Sequence, residues 1–377
     1  MDLAPRLGAV LTAASAGARD VDSLGRFPDE AVKALGESGL LGLTLSEEVG
    51  GLGGGPAELV EVVSGLARAC GSAAMVYLMH VSAAMAVVQS PPPGLPELPG
   101  QLASGEVLAS LAFSEPGSRS HFWAPVSRST RHDDQTVRLD ARKSWVTSAG
   151  HADVYVISTL TPGAQTPGPE TIDVYAVPAG TPGIAVTGSF SGLGLRGNAS
   201  SPMTFQADVP DSWRIGEPGT GFGLKLETVM PWFNLGNAAV SLGLAQGALD
   251  AAITHARGAR LEHIGESLAQ LPTIRAQIAK ASIELVALRA YLDQAAGRLA
   301  QPAEDTMLHV LGVKAAANDA ALRVTDTAMR VCGGAAFSEH LQVDRYFRDA
   351  RAGCVMAPTA DVLYDFYGKA ITGLPLF

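Results

Sequence analysis

Val154-Tyr155-Val156-Ile157-Ser158-Thr159 and Ile172-Asp173-Val174-Tyr175-Ala176-Val177 are the segments on which the fold class turns. Both are short runs rich in β-branched and aromatic residues, and Pro162, Gly163, Pro167, Gly168 and Pro169 lie between them. Such runs, bounded by residues that break regular structure, read as strands. Thr136-Val137-Arg138-Leu139 alternates apolar and polar side chains in the same way. Together they predict a small antiparallel β domain between about Ala109 and Val209.

On either side the texture is helical. From Asp20 to Val88 the apolar spacing is that of helices, with Phe27-Pro28-Asp29-Glu30 opening one that carries Val32, Leu35, Leu40 and Leu41. Gly71 to Val88 is long and apolar, but His80 sits at its centre and small residues dominate, so it reads as a buried helix and not a membrane span. Ser90 to Pro99 is a proline-rich loop. After Gly219-Thr220-Gly221, four Ala- and Leu-rich segments, Trp232 to Arg257, Glu266 to Leu299, Glu304 to Val331 and Arg345 to Ile371, predict a four-helix bundle. The class is α+β: an N-terminal helical domain (1–108), a central antiparallel β domain (109–218) and a C-terminal four-helix bundle (219–377).

The composition narrows the function. With 377 residues, 47% hydrophobic and 17% charged, the chain builds a large core and is not disordered. A formal charge of -10 argues against nucleic acid or an anionic membrane as partner. Cys70, Cys332 and Cys354 are too scattered for a disulfide framework, which points to the cytoplasm, and the first residues lack the pattern of a signal peptide. His80, His121 and His151 have no metal-ligand spacing, so no metal site is expected. Two glycine-rich stretches invite a phosphate-binding reading. Glu47 to Gly55 follows no strand and lacks a Lys-Ser/Thr, and Gly192-Leu193-Gly194-Leu195-Arg196-Gly197 precedes Asn198 to Pro202, which starts no long helix. Both are read as turns.

Several phrases, in order, resemble the acyl-CoA dehydrogenase flavoproteins over nearly the whole chain. They are Gly39-Leu40-Leu41-Gly42, Glu47 to Gly53, Ala67-Arg68-Ala69-Cys70-Gly71-Ser72, Ala112-Phe113-Ser114-Glu115-Pro116-Gly117-Ser118-Arg119-Ser120, Lys143 to Asp153, Gly333-Gly334 and Arg348-Asp349-Ala350-Arg351. The resemblance implies FAD, with Phe113, Ser114 and Ser120 in the flavin loop, Trp145 against the ring, Thr147 at its reactive nitrogen, and Thr359 among the cofactor contacts. Such a ring needs an apolar wall and hydrogen-bond donors that stabilise its electron-rich reduced form. The resemblance also implies a homodimer or homotetramer in which Arg260, Gly333 and Gly334 reach the neighbouring subunit's cofactor.

The departures concern catalysis. In the family a carboxylate removes a proton from the α carbon of an acyl thioester. Its usual position, just before a Gly-Thr that follows the Arg348-Asp349-Ala350-Arg351 phrase, holds Ala357 here, with Pro358 at the glycine, and the alternative position on the first bundle helix holds Phe233. Glu227 and Asp361 are the nearest carboxylates in sequence, and Asp361 is the candidate base if a helix has begun by then. Three functions follow from the resemblance: a thioester dehydrogenase with a non-standard or absent base, delivering electrons to a protein partner; a flavin-dependent oxygenase or hydroxylase using oxygen; or a descendant that keeps FAD without dehydrogenating. Arg119 stands where the family has glycine, and pairs either with an acidic substrate group or with Glu115.

Overall fold

A computed structural model describes residues 2–376; residues 1 and 377, the outer ends of the first and third predicted domains, lie outside them. The N-terminal block comprises α1 (Leu3–Ser23), α2 (Asp29–Glu37), α3 (Pro56–Ala69), α4 (Gly71–Gln89) and α5 (Leu98–Ser104). α4 is long and apolar enough to cross a bilayer, but Ala73, Val76, Tyr77, Val81 and Ala84 are fully or almost fully buried, so its apolar surface is spent on packing. His80 is buried at its centre, where Nε2 donates to the Leu41 carbonyl (3.1 Å) and Nδ1 accepts the Ala109 N–H (3.1 Å). Burial pushes its pKa down to about 4, which keeps it neutral with the proton on Nε2. The Glu47 to Gly55 stretch is a turn, as predicted: a Cβ on Gly51 would strike the Leu45 main chain, so these glycines serve close packing.

The β domain is two packed sheets. One has the order β1 (Ala109–Ala112), β4 (Val154–Leu160), β5 (Ile172–Pro178). The other has the order β2 (Arg128–Arg131), β3 (Thr136–Val146), β7 (Ser201–Phe205), β6 (Ile184–Val186), with β8 (Asp208–Pro210) also on β3. The domain is not wholly antiparallel: β1 runs parallel to β4, with Ala109 opposite Val154. The chain between them builds β2 and β3 of the other sheet before it returns. Val137, Leu139, Ala141, Tyr155, Ile157, Tyr175, Val177 and Phe205 fill the space between the sheets. The other face of β1-β4-β5 lies on α4 through Leu111, Val156, Val174 and Ala176, which is why β4 and β5 read as continuous apolar runs.

The C-terminal block begins with α6 (Gly221–Gly223), which continues through a π turn (Leu224–Val229) into α7 (Met230–Gly258). The hairpin of β9 (Arg260–Leu261) and β10 (Glu266–Ser267) leads to α8 (Pro272–Ala300) and α9 (Thr306–Cys332). The fourth predicted helix is in fact three: α10 (Val343–Asp349), α11 (Arg351–Val355) and α12 (Ala360–Thr372). Met356 is extended and Pro358 follows two residues later, so no helix passes through this point. α3, α4, α7, α8 and α9 share one core, which joins the two helical blocks behind the β domain.

Candidate active site

One cavity of about 370 Å³ lies where the β domain meets α4, α7 and the turn after α11. It is lined on one side by Phe113, Ser114, Ser120, Trp145 and Thr147, and on the other by Phe233 and Ala357. Residues that the sequence reading assigned to the flavin thus meet the two positions where it looked for a base.

The strand geometry explains how Trp145 gets there. Lys143 pairs with Met203 and Val146 with Ser201, so β3 carries one residue more than β7 between these pairs. This bulge puts Trp145 at φ +54° and turns its ring out of the strand, leaving it 67% exposed beside the cavity. Thr147, just past the bulge, is buried with its hydroxyl 3.1 Å from that of Ser200, which also lines the cavity.

The Phe113 to Ser120 loop is held from behind. Val137, Leu139 and Ala141 mark the buried phase of β3, and Lys143 occupies the next place in it. Its ammonium pairs with Glu115 and donates to the Ser158 carbonyl (2.6 Å). Glu115 also accepts the N–H groups of Val126 (2.5 Å) and Ser127 (2.9 Å). Burial alone would raise the Glu115 pKa, but the adjacent Lys143 ammonium and these donors hold it below the ordinary value. Lys225, on the π turn, is fully buried, donates to the Phe122 carbonyl (2.9 Å) and lies 4.7 Å from the centre of the Phe113 ring. At its far end the loop is tied down by Ser120, whose Oγ accepts the Thr359 N–H (2.9 Å) and lies 3.1 Å from the Thr359 hydroxyl. Thr359 precedes α12 and does not line the cavity.

The opposite wall has its own support. Lys314 of α9 is fully buried, and its Nζ donates to the carbonyls of Gly353 (3.3 Å), Met356 (3.2 Å) and Pro358 (2.8 Å), which encircle Ala357. Burial lowers its pKa to about 7. One turn on, the Asn318 amide reaches Asn237 (2.9 Å) and Ser241 (2.8 Å) on α7, the helix that carries Phe233. The formal glycine motif also contributes, though not as a nucleotide loop. Gly194 and Leu195 line the cavity, a Cβ on Gly194 would strike the Arg348 main chain, and the Leu195 N–H donates to Asp349 (2.6 Å).

Neither candidate carboxylate reaches the cavity. Glu227 is exposed on the outer side of the π turn. Asp361 is exposed on the first turn of α12, beside Trp123 and Asp365 in a separate surface groove, because the helix begins only at Ala360. Arg260 is exposed in the β9–β10 hairpin, and Gly333 and Gly334 follow α9; none of the three lines this cavity. His121 and His151 face Trp123 and Phe27 and do not line it either. No group of His, Cys, Asp and Glu suited to a metal occurs among the described residues.

The cavity suits a flavin ring. It joins an aromatic wall to the hydroxyls of Ser114, Ser120, Thr147 and Ser200, and Asn198, which lines it, has a buried side-chain oxygen with no protein partner. Sequence reading missed Lys143, Lys225 and Lys314. Their signal is a lysine in the buried phase of an apolar repeat, which a search for motifs passes over.

Residues 10–90, 110–207 and 219–372 match in turn the N-terminal, middle and C-terminal domains of acyl-CoA dehydrogenases. A probable acyl-CoA dehydrogenase, FadE25, of Mycobacterium leprae is 30% identical over 89% of this chain and 85% of its own. Cyclohex-1-ene-1-carbonyl-CoA dehydrogenase of Geobacter metallireducens is 29% identical over 94% and 92%. Among solved structures, butyryl-CoA dehydrogenase from Megasphaera elsdenii has a TM-score of 0.92 at 24% identity, covering 99% of this chain and 98% of that one. The prolyl acyl carrier protein oxidase AnaB has a TM-score of 0.87 at 20% identity, covering 98% and 99%. At these identities the two structures speak for the fold alone. With the sequence matches, the chain belongs to the acyl-CoA dehydrogenase family and is an FAD-dependent oxidoreductase.

Proposed function

We propose that the enzyme oxidises an acyl thioester, carried on coenzyme A or a carrier protein, without a carboxylate base from either customary position. The observation that carries this reading is that Phe233 and Ala357 both line the cavity, while its one carboxylate, Glu115, is engaged by Lys143 and two backbone amides. A carboxylate held below its ordinary pKa by three donors is a poor proton acceptor. The α proton of the substrate therefore goes to an acceptor other than a carboxylate at either customary position.

FAD, when bound, supplies a two-electron acceptor. The chain's part is to hold and shield it. Trp145 would cover one face of the ring, the hydroxyls of Ser114, Ser120 and Thr147 would meet its polar edge, and Phe113, Phe122, Phe190 and Phe233 would exclude water. Thr359 would act through Ser120. Arg260, Gly333 and Gly334 would serve a second subunit's cofactor. In support, Phe337, three residues after the glycine pair, is 89% exposed, and Ile283 and Val286 stand on the outer face of α8. A homodimer or homotetramer covers such residues, and size-exclusion chromatography with light scattering tests for one. Three free cysteines accord with the cytoplasm.

A flavin-dependent oxygenase is the second reading, favoured by the same apolar lining. Anaerobic mixing with a panel of saturated acyl thioesters, followed by flavin absorbance, separates the two. Bleaching supports thioester oxidation. Its absence across the panel, with rapid reoxidation of dithionite-reduced enzyme by air, supports the oxygenase.

A further inference from the structure

Two charged residues line the cavity, Glu115 and Arg119. The sequence left open whether they pair, and they do not: Glu115 is buried against Lys143, while Arg119 is exposed and lines the cavity, which puts it at the mouth. Among the described residues no acceptor or carboxylate engages its guanidinium. The backbone holds it there at a conformational cost. Arg119 has φ +26° and Ser120 φ +65°, a region that suits glycine, and the bond from Ser120 to Thr359 fixes the second of these.

A guanidinium keeps its charge at any working pH and is shaped for two parallel hydrogen bonds to one oxyanion. The cavity itself is largely apolar, lined by Phe113, Phe122, Trp145, Val355 and Ala357, so an ion pair drawn inward from the mouth is worth more than one in open water. An acyl chain and its thioester carbonyl are neutral. The anionic oxygens on such a substrate are the phosphate of the pantetheine arm, shared by coenzyme A and carrier proteins, the further phosphates of coenzyme A, and any carboxylate on the acyl end.

We propose that Arg119 is a specificity-determining residue that receives an oxyanion of the substrate at the cavity mouth. This rests on the thioester reading above and deepens it. The competing anion is the diphosphate of the cofactor, and the test must separate the two.

The test uses the FAD-loaded enzyme and the variants Arg119→Met and Arg119→Lys, with anaerobic calorimetry on non-reacting thioether analogues. One analogue is a butyl pantetheine with no charge, the second adds the 4'-phosphate, and the third replaces the phosphate with a carboxylate at the acyl end. The wild type is expected to bind one of the anionic analogues about 10- to 100-fold more tightly than the neutral one. Arg119→Met should abolish that preference and leave the neutral analogue within about threefold, while Arg119→Lys should keep part of it. Preference for the phosphate assigns the carrier arm, and preference for the carboxylate assigns the acyl end. Equal binding of all three by the wild type would overturn the proposal. So would a preference that persists in Arg119→Met, or a Met variant whose one defect is weaker FAD binding, measured by flavin fluorescence. Calorimetry needs no turnover, so an enzyme that discriminates the anions yet oxidises no thioester would sink the proposed reaction and leave this site standing.

Discussion

Replacing Lys143 by methionine should destabilise the protein steeply and in a pH-dependent way. The substitution roughly preserves volume but leaves Glu115 buried with the Val126 and Ser127 amides as its remaining partners. An unpaired buried carboxylate escapes by taking up a proton. From the ordinary glutamate value of 4.5, protonation at pH 7.5 costs about 4 kcal/mol, at ~1.36 kcal/mol for each pH unit. That agrees with the roughly 3–5 kcal/mol lost when one partner of a buried pair is removed. At pH 5.5 the same step costs only about 1.4 kcal/mol. The deficit of Lys143→Met against wild type should therefore shrink by about 2–3 kcal/mol between pH 7.5 and 5.5. In the wild type, Glu115 is held below its ordinary value, so its contribution is complete across this range and is lost only at more acid pH. The double variant Glu115→Gln with Lys143→Met contains no charge to strand and should be the more stable of the two at pH 7.5. Urea unfolding followed by far-UV circular dichroism at both pH values measures all of this. A Lys143→Met deficit below about 1 kcal/mol at pH 7.5, or one equal at both pH values, would refute the argument.

The other expectations concern His80, Lys314 and Ala357. His80 has a folded pKa of about 4 against 6.5 unfolded, so stability should fall as pH drops through this window, by about 2 kcal/mol at pH 5. His80→Gln, which retains a donor and an acceptor, should flatten that slope in urea titrations. Lys314→Met removes the donor shared by three carbonyls, and hydrogen exchange at residues 353–359 should accelerate at least about tenfold while β4 and β5 remain unchanged. Ala357→Glu should speed anaerobic flavin bleaching by a saturated acyl thioester by about 10²- to 10⁴-fold, and an unchanged rate would count against the proposed dehydrogenation.

How much was legible in the sequence depended on the range of the interactions involved. The three blocks follow from periodicity, a local property, and so does the strand that delivers Trp145. The break at Ala357 is hidden because Arg345 to Ile371 is apolar-periodic on both sides of it, and Pro358 is its one local mark. The parallel pairing of β1 with β4 joins residues 45 apart, and no local pattern encodes it. Asp361 failed for a related reason: its distance from Ala357 was counted along a helix that starts only at Ala360. The lysines beneath the cavity are visible in the sequence as breaches of an apolar repeat, but their partners come from other elements and appear only once the chain is folded.

The Lys314–Asn318 node fastens the turn around Ala357 to the helix that carries Phe233, so two sides of the cavity share one set of buried bonds and yield together or not at all. Met356, at the same corner, is restrained by Asn237 through a 3.6 Å contact to its sulphur. Met75 and Met79 of α4 also line the cavity, Met75 buried in the core and Met79 half-buried. Any change of shape at Ala357 is transmitted to the Phe233 side of the cavity through the bonds of this node.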